Sequence, residues 1–369
     1  MSRSQLKAAR RVVIKIGTNA LTNTTGRFHR AHFTRLANEL LTATKGRELI
    51  LVSSGAIALG VERLGLDKKP KDIPGKQACA AVGQSRLMRA WEEALEPRLV
   101  AQVLLTHSDV QDRRRYLNAR HALERLITDG VVPVINENDT VSVDEIKFGD
   151  NDTLAGLVAG LVNADALIIL SDVDGLYDSD PRKNKHARRI DVVENVTRAM
   201  LSSAGGSGSA VGTGGMTTKL ASAQRVTELG VSCVIAAGQK PGTITRVLAG
   251  EAEGTLFLPH ARRDARTAWI AHALKGKGTL IVDAGAFTAL TEKKKSLLPS
   301  GIREVKGNFA HGDAVDLATE EGEVFARGLA AYGADELRKL AGKKTSQIES
   351  LLGFRGLDEA VHRDDLAML

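Results

Sequence analysis

The chain has 369 residues, 43% hydrophobic and 26% charged, which excludes a disordered tail and gives a prior of about two or three domains. Its two distant cysteines, Cys79 and Cys233, exclude a disulfide framework and a Cys-rich zinc site and fit a reducing, cytoplasmic setting. The net charge of +7 admits a polyanionic partner, yet Lys275–Leu369 carries 14 Lys and Arg against 15 Asp and Glu; the excess lies upstream, in runs such as Arg113-Arg114-Arg115 that are more often solvated faces.

A polar, basic start leads into Val12–Ile16, an apolar run broken by Lys15 and too short for a signal peptide. No membrane span is expected, because the longest apolar stretch, Leu154–Leu170, contains Asn163 and Asp165. Strands are predicted at Val12–Ile16, Leu49–Ser53, Val100–Leu105, Val131–Asn136, Ala166–Leu170 and Ser232–Ala236, several of them continuous apolar runs of the kind covered on both faces. Helical patterns fall between them at Ala31–Lys45, Gln77–Leu95 and Tyr116–Asp129, with helix starts expected near Thr153 and Thr218. This βαβα order predicts an α/β fold with an open, mostly parallel sheet sandwiched by helices, and it directs attention to the loops at the carboxyl ends of the strands. After about Gly254 the pattern changes to β-like pieces at Gly278–Val282, Ala286–Leu290, Val305–Asn308 and Ala314–Leu317. The expected division is residues 1–258, a linker over 259–275, and a small β-rich domain over 276–369 with a helical tail.

Several strand-end loops carry chemistry. Lys15 in a buried strand is costly unless its ammonium meets an anion, and Gly17-Thr18-Asn19 beyond it offers backbone N–H groups to a phosphate; a snorkelling lysine is the equal alternative. Ser53-Ser54-Gly55-Ala56 offers small residues at a strand-to-helix junction, with a capped helix start equally open. Asn136-Glu137-Asn138-Asp139 and Lys147 through Thr153 form two polar clusters able to accept from an ammonium and donate to a carboxylate, as a zwitterionic amino acid requires; turn and cap chemistry is the alternative. Ser171-Asp172-Val173-Asp174-Gly175 closes a strand. Gly212-Thr213-Gly214-Gly215-Met216-Thr217-Thr218-Lys219 opens a helix without P-loop spacing, but it combines glycines, a helix start and a lysine.

With Lys15-Ile-Gly-Thr, Ser53-Ser-Gly-Ala-Ile, Ala81-Val-Gly-Gln-Ser-Arg86, Val134 through Asp139, Gly149 through Asp152, Asp174-Gly-Leu-Tyr, Asp180-Pro-Arg182 and Gly212 through Lys219 in order, the chain resembles the amino-acid kinase family in its glutamate-phosphorylating branch. Ser296 through Ile302 and Gly307-Asn-Phe309 resemble an appended PUA domain, a small β-rich barrel. The resemblance implies ATP-dependent phosphorylation of the L-glutamate γ-carboxylate to L-glutamyl 5-phosphate, the first step of proline synthesis. It implies inhibition by proline, a homo-oligomer (dimer or tetramer) and transient coupling to glutamyl phosphate reductase. It assigns Lys15, Lys219 and Asp152 to catalysis, and Ser54, Asp139 and Asn151 to glutamate. ATP is assigned to Lys15, Ser171, Asp172, Thr213, Gly214, Gly215, Met216, Thr217, Thr218 and Lys219. Mg²⁺ would bridge phosphate oxygens, with no protein ligand identified. A kinase of N-acetylglutamate or aspartate is a rival reading, and an acyl group there would leave Asp139 without its ammonium partner. An RNA-linked role through the C-terminal segment is another; with that segment at −1, weak or absent RNA binding is expected.

Overall fold

The structure is a computed structural model. It describes residues 2–23, 25–141, 151–181, 183–204, 215–260, 270–271, 274–354 and 356–369. The chain divides into two compact units, Met1–Arg262 and Arg263–Leu369.

The first unit is built on eight strands: β1 (Arg11–Ile16), β2 (Glu48–Ser53), β3 (Val100–Leu105), β4 (Val132–Glu137), β5 (Ala166–Ser171), β6 (Val192–Val193), β7 (Ser232–Ala237) and β8 (Thr255–Phe257). They form one sheet in the order β3-β4-β2-β1-β5-β7-β8-β6. The pairings are parallel except β7 with β8. Every residue of β4 and β5 is buried, in keeping with the apolar runs Val132–Ile135 and Ala166–Leu170 expected of strands covered on both faces. On one face of the sheet Leu36, Leu40, Leu87 and Trp91 from the helices pack on Leu51, Ile168 and Val234 from the strands. The six predicted strands are present, each within a residue or so of its expected ends; β6 and β8, of two and three residues, carry too little pattern to read.

The chain leaves β1 in one direction toward β2 and places β5 on its other side, so the strand order reverses at β1. The carboxyl ends of β1, β2, β4 and β5 therefore open onto one crevice, the place where ligands bind in such sheets. Two helices behind it touch backbone to backbone. A Cβ added at Gly60 in Ala56–Arg63 would lie 1.8 Å from the Cys79 carbonyl oxygen, and one at Gly83 in Ile73–Ala94 would lie 1.8 Å from that of Ala56. Cys79 and Cys233 are both fully buried, and burial raises the pKa of each thiol.

The second unit carries a sheet ordered β10-β9-β11-β12-β13, formed by β9 (Gly278–Val282), β10 (Ile302–Gly307), β11 (Ala314–Ala318), β12 (Val324–Leu329) and β13 (Leu366–Met368). Leu280, Leu317, Tyr332 and Leu337 lie in its core. Two expectations are corrected. Ala286–Leu290 is not a strand but the middle of the helix Ala284–Thr291, because Asp283 caps it by accepting from the Ala286 N–H at 2.8 Å. A five-residue apolar run cannot separate the two structures by periodicity. The tail is only partly helical: after Ile348–Leu352 the chain returns to the sheet as β13, antiparallel to β12. Among the described residues no helix is long and apolar enough to cross a membrane.

Candidate active site

Lys15 lies in β1, one residue from its end, and is 7% exposed. A buried ammonium requires a partner, and Lys15 Nζ meets Asp152 Oδ1 at 2.6 Å. Asp152 stands in the first turn of the helix Asn151–Leu161 and is 1% exposed. Its other oxygen, Oδ2, meets Lys219 Nζ at 3.1 Å and the Thr218 hydroxyl at 3.0 Å. Lys219 is 5% exposed, in the first turn of the helix Met216–Glu228. One carboxylate thus bridges two ammonium groups brought from a strand and from a second helix, and the trio carries a net positive charge. Burial pushes the Asp152 carboxyl upward, but the charges of Lys15 and Lys219 overrule it and hold the pKa down to about 2. Gly17 keeps the space beside this trio open, since a Cβ there would approach Lys15 Nζ to 3.3 Å.

The helix with Lys219 begins at Met216, two residues before the expected start near Thr218, so Met216, Thr217, Thr218 and Lys219 all lie in the first turn, after Gly215. Gly215 at the N-cap supplies no side-chain cap, and the positive dipole end of the helix suits an anion. The helix near Thr153 likewise begins earlier, at Asn151, which puts Asp152 inside its first turn.

Beside the trio lies a chain of amides. Asn151 Nδ2 donates to Ser54 Oγ at 2.8 Å and to Asn136 Oδ1 at 3.0 Å. Asn136 Nδ2 donates in turn to Gln84 Oε1 at 2.9 Å. The Ser53–Ser54 turn is fixed from below by Trp91 Nε1, which donates to Ser53 Oγ at 3.0 Å. Asp139 sits half-buried in the turn after β4 and interacts electrostatically with Lys69. At the end of β5 the Ser171 hydroxyl donates to Asp172 Oδ1 at 3.0 Å, and Asn19 Nδ2 approaches Asp172 Oδ2 at 3.4 Å. Asp172 itself is exposed.

The structure thus joins Lys15, Asp152 and Lys219, joins Ser54 to Asn151, and joins Ser171 to Asp172. Thr213 and Gly214, with Lys147 through Asp150 and Arg182, lie outside the described residues. Asn136 stands in the sequence only as part of its polar cluster, without a role of its own, and Gln84 is not among the expected binding residues. Gln84 nevertheless carries a signal: it falls on the buried stripe of its helix with Ala80, Leu87 and Trp91, where a polar residue needs a reason. Among the described residues no group of three or more His, Cys, Asp or Glu converges as a metal site.

Residues 10–237 match the model of the amino acid kinase family, and residues 278–352 match that of the PUA domain. A glutamate 5-kinase of Myxococcus xanthus (strain DK1622) is 64% identical over 100% of this chain and 98% of its own length. One from Anaeromyxobacter dehalogenans (strain 2CP-C) is 53% identical over 100% of this chain and 99% of its own. Among solved structures, a carbamate kinase from Giardia lamblia bound to AMP-PNP superposes with a TM-score of 0.50 at 19% identity, covering 69% of this chain and all of that one, which is a likeness of fold.

Proposed function

The chain belongs to the amino acid kinase family and carries a PUA domain, and we propose that it transfers the γ-phosphoryl group of ATP to the γ-carboxylate of L-glutamate, giving L-glutamyl 5-phosphate. The observation that carries this reading is the Lys15–Asp152–Lys219 bridge at the crevice where the strand order reverses.

The acceptor carboxylate, with a reference pKa of about 4.3, is already ionised at neutral pH, so attack needs no general base. The obstacle is bringing an anion onto a polyanion, and the site must supply oriented positive charge and close positioning. In this reading Lys15 contacts the transferring phosphoryl group and Lys219 offsets charge developing on the ADP side. Asp152, fixed in its ionised form, holds both ammonium groups in register. Ser54, Asn151 and Asp139 bind glutamate, with Asp139 opposite the α-ammonium. Ser171, Asp172 and residues 213–219 bind ATP, the uncapped helix start at Met216 receiving phosphate oxygens. Mg²⁺ supplied with ATP would add neutralisation of the phosphate charge that Lys15 and Lys219 face, and no residue of this chain is assigned as its ligand.

The proposal extends to regulation and setting: cytoplasmic action at the first step of proline synthesis, restraint by proline, a homo-oligomeric assembly, and hand-over of the labile acyl phosphate to glutamyl phosphate reductase. The test is ATP turnover by the full chain with Mg²⁺ and hydroxylamine. L-Glutamate, N-acetylglutamate and L-aspartate would be compared, with and without proline. Hydroxamate from L-glutamate alone is expected, diminished by proline. Hydroxamate from N-acetylglutamate or aspartate instead would refute the assignment of acceptor.

A further inference from the structure

The amide chain beside the lysine bridge has a direction, and the direction has an origin. Asn136 uses its carbonyl to accept from Asn151 and its NH₂ to donate to Gln84. Turned over, Asn136 would set its NH₂ against that of Asn151 and its carbonyl against that of Gln84. The Gln84 carboxamide is thus the far end of the chain: with its carbonyl toward Asn136 and its Nε2 buried without a partner among the described residues, it holds Asn136, and through it Asn151, in this orientation. Asn136 and Gln84 are 2% and 9% exposed, so water does not substitute readily for a lost partner. The backbone that carries Gln84 is held in place: that of its neighbour Gly83 lies against that of Ala56, two residues beyond Ser54.

At the other end the chain leaves two valences that no described group takes up. Ser54 Oγ accepts from Asn151, so its own O–H remains available as a donor. Asn151 Oδ1 is buried and accepts from no described partner. A hydroxyl donor beside a carbonyl acceptor matches a ligand whose carboxylate and ammonium share one carbon. Resting on the reading that glutamate binds here, we infer that Gln84 is a positioning residue for the amino-acid substrate. It acts through Asn136 and Asn151 to present Ser54 as donor and Asn151 as acceptor, without touching the substrate.

The test compares the full-length wild type with Gln84→Leu and Gln84→Glu, by hydroxamate kinetics and by calorimetric titration with L-glutamate in the absence of nucleotide. Leucine removes the terminal acceptor. Glutamate restores an acceptor oxygen toward Asn136 whether its carboxyl is ionised or protonated. For Gln84→Leu we expect a rise in KM and Kd for L-glutamate of about tenfold or more with the KM for ATP unchanged, since the loss acts on one substrate only. Gln84→Glu should recover most of this. A purely structural role would lower the unfolding temperature without separating the two KM values. If Gln84→Leu does not fold, Gln84→Met keeps the chain length without a carbonyl and carries the same expectation. A folded variant whose glutamate KM stays within twofold of wild type, equal shifts in both KM values, or no recovery with Gln84→Glu would overturn the inference. Failure of the wild type to turn over L-glutamate would instead refute the functional reading on which it rests.

Discussion

Asp152→Asn removes one charge and leaves the shape. Two ammonium groups, 2.6 and 3.1 Å from the carboxylate and almost fully buried, would then share no counter-ion. Breaking a buried pair by removing one partner costs about 3 to 5 kcal/mol, because the charge left behind is not hydrated. The pH dependence supplies an independent check on this magnitude. The Asp152 carboxyl is depressed from 3.8 to about 2, so its ionisation contributes roughly 2 to 3 kcal/mol of stability above pH 4. A depressed carboxyl loses that contribution as pH falls through the folded-state value, and about 1 kcal/mol should already be gone at pH 3. The stability gap between wild type and Asp152→Asn should therefore be widest at neutral pH and narrow below pH 4. Urea unfolding followed by Trp91 fluorescence, in a Trp269→Phe background so that one indole reports, measures the gap. Turnover should fall in parallel by about 10² or more, since both lysines lose their positioning. An Asp152→Asn protein as stable as wild type at pH 7, or a gap unchanged between pH 7 and pH 3, would refute the idea that this carboxylate holds the two lysines.

Lys15→Ala and Lys219→Ala should each lower kcat by about 10² to 10³ with the fold retained, measured by hydroxamate formation and circular dichroism; near-wild-type kcat in either would remove that lysine from the proposed chemistry. Asp139→Ala should raise the KM for L-glutamate far more than that for ATP, and equal effects would count against its pairing with the α-ammonium. Gly83→Ala places a Cβ 1.8 Å from the Ala56 carbonyl oxygen and should cost about 1 to 3 kcal/mol by thermal unfolding, because the two helices must part to admit it. An unchanged melting temperature would show that the crossing is looser than described.

Much of this molecule is legible in its sequence because its central strands are buried on both faces. β1, β2, β4, β5 and β7 read as apolar runs between helical patterns, and that order alone yields the parallel sheet and the end of it that binds ligands. Lys15 stands out for the same reason, as a charge where the pattern demands none. What escaped notice is what depends on contacts distant in sequence. Gln84 and Asn136 are 52 residues apart, and nothing local distinguishes a glutamine that anchors an amide chain from one facing solvent, save the stripe it shares with Leu87 and Trp91. Ala286–Leu290 misleads because alternation and helical spacing coincide over five residues, and only the Asp283 cap decides. β12 and β13 escaped because the half-exposed, glycine-containing Val324–Leu329 and a three-residue strand at the chain end have weak alternation of their own.

The two thiols have a use of their own. Cys79 belongs to the crossing at which Gly60 abuts the Cys79 carbonyl, and Cys233 to β7, between β5 and β8 in the large sheet. Burial keeps both poorly nucleophilic, so neither reacts until its surroundings open. With a soluble aromatic disulfide in excess, the rate of thiol loss at each position becomes a clock for local opening, one beside the amide chain and one within the sheet. The unmodified protein therefore carries two built-in reporters of breathing, able to show whether a small molecule tightens the crevice alone or the sheet beneath it as well.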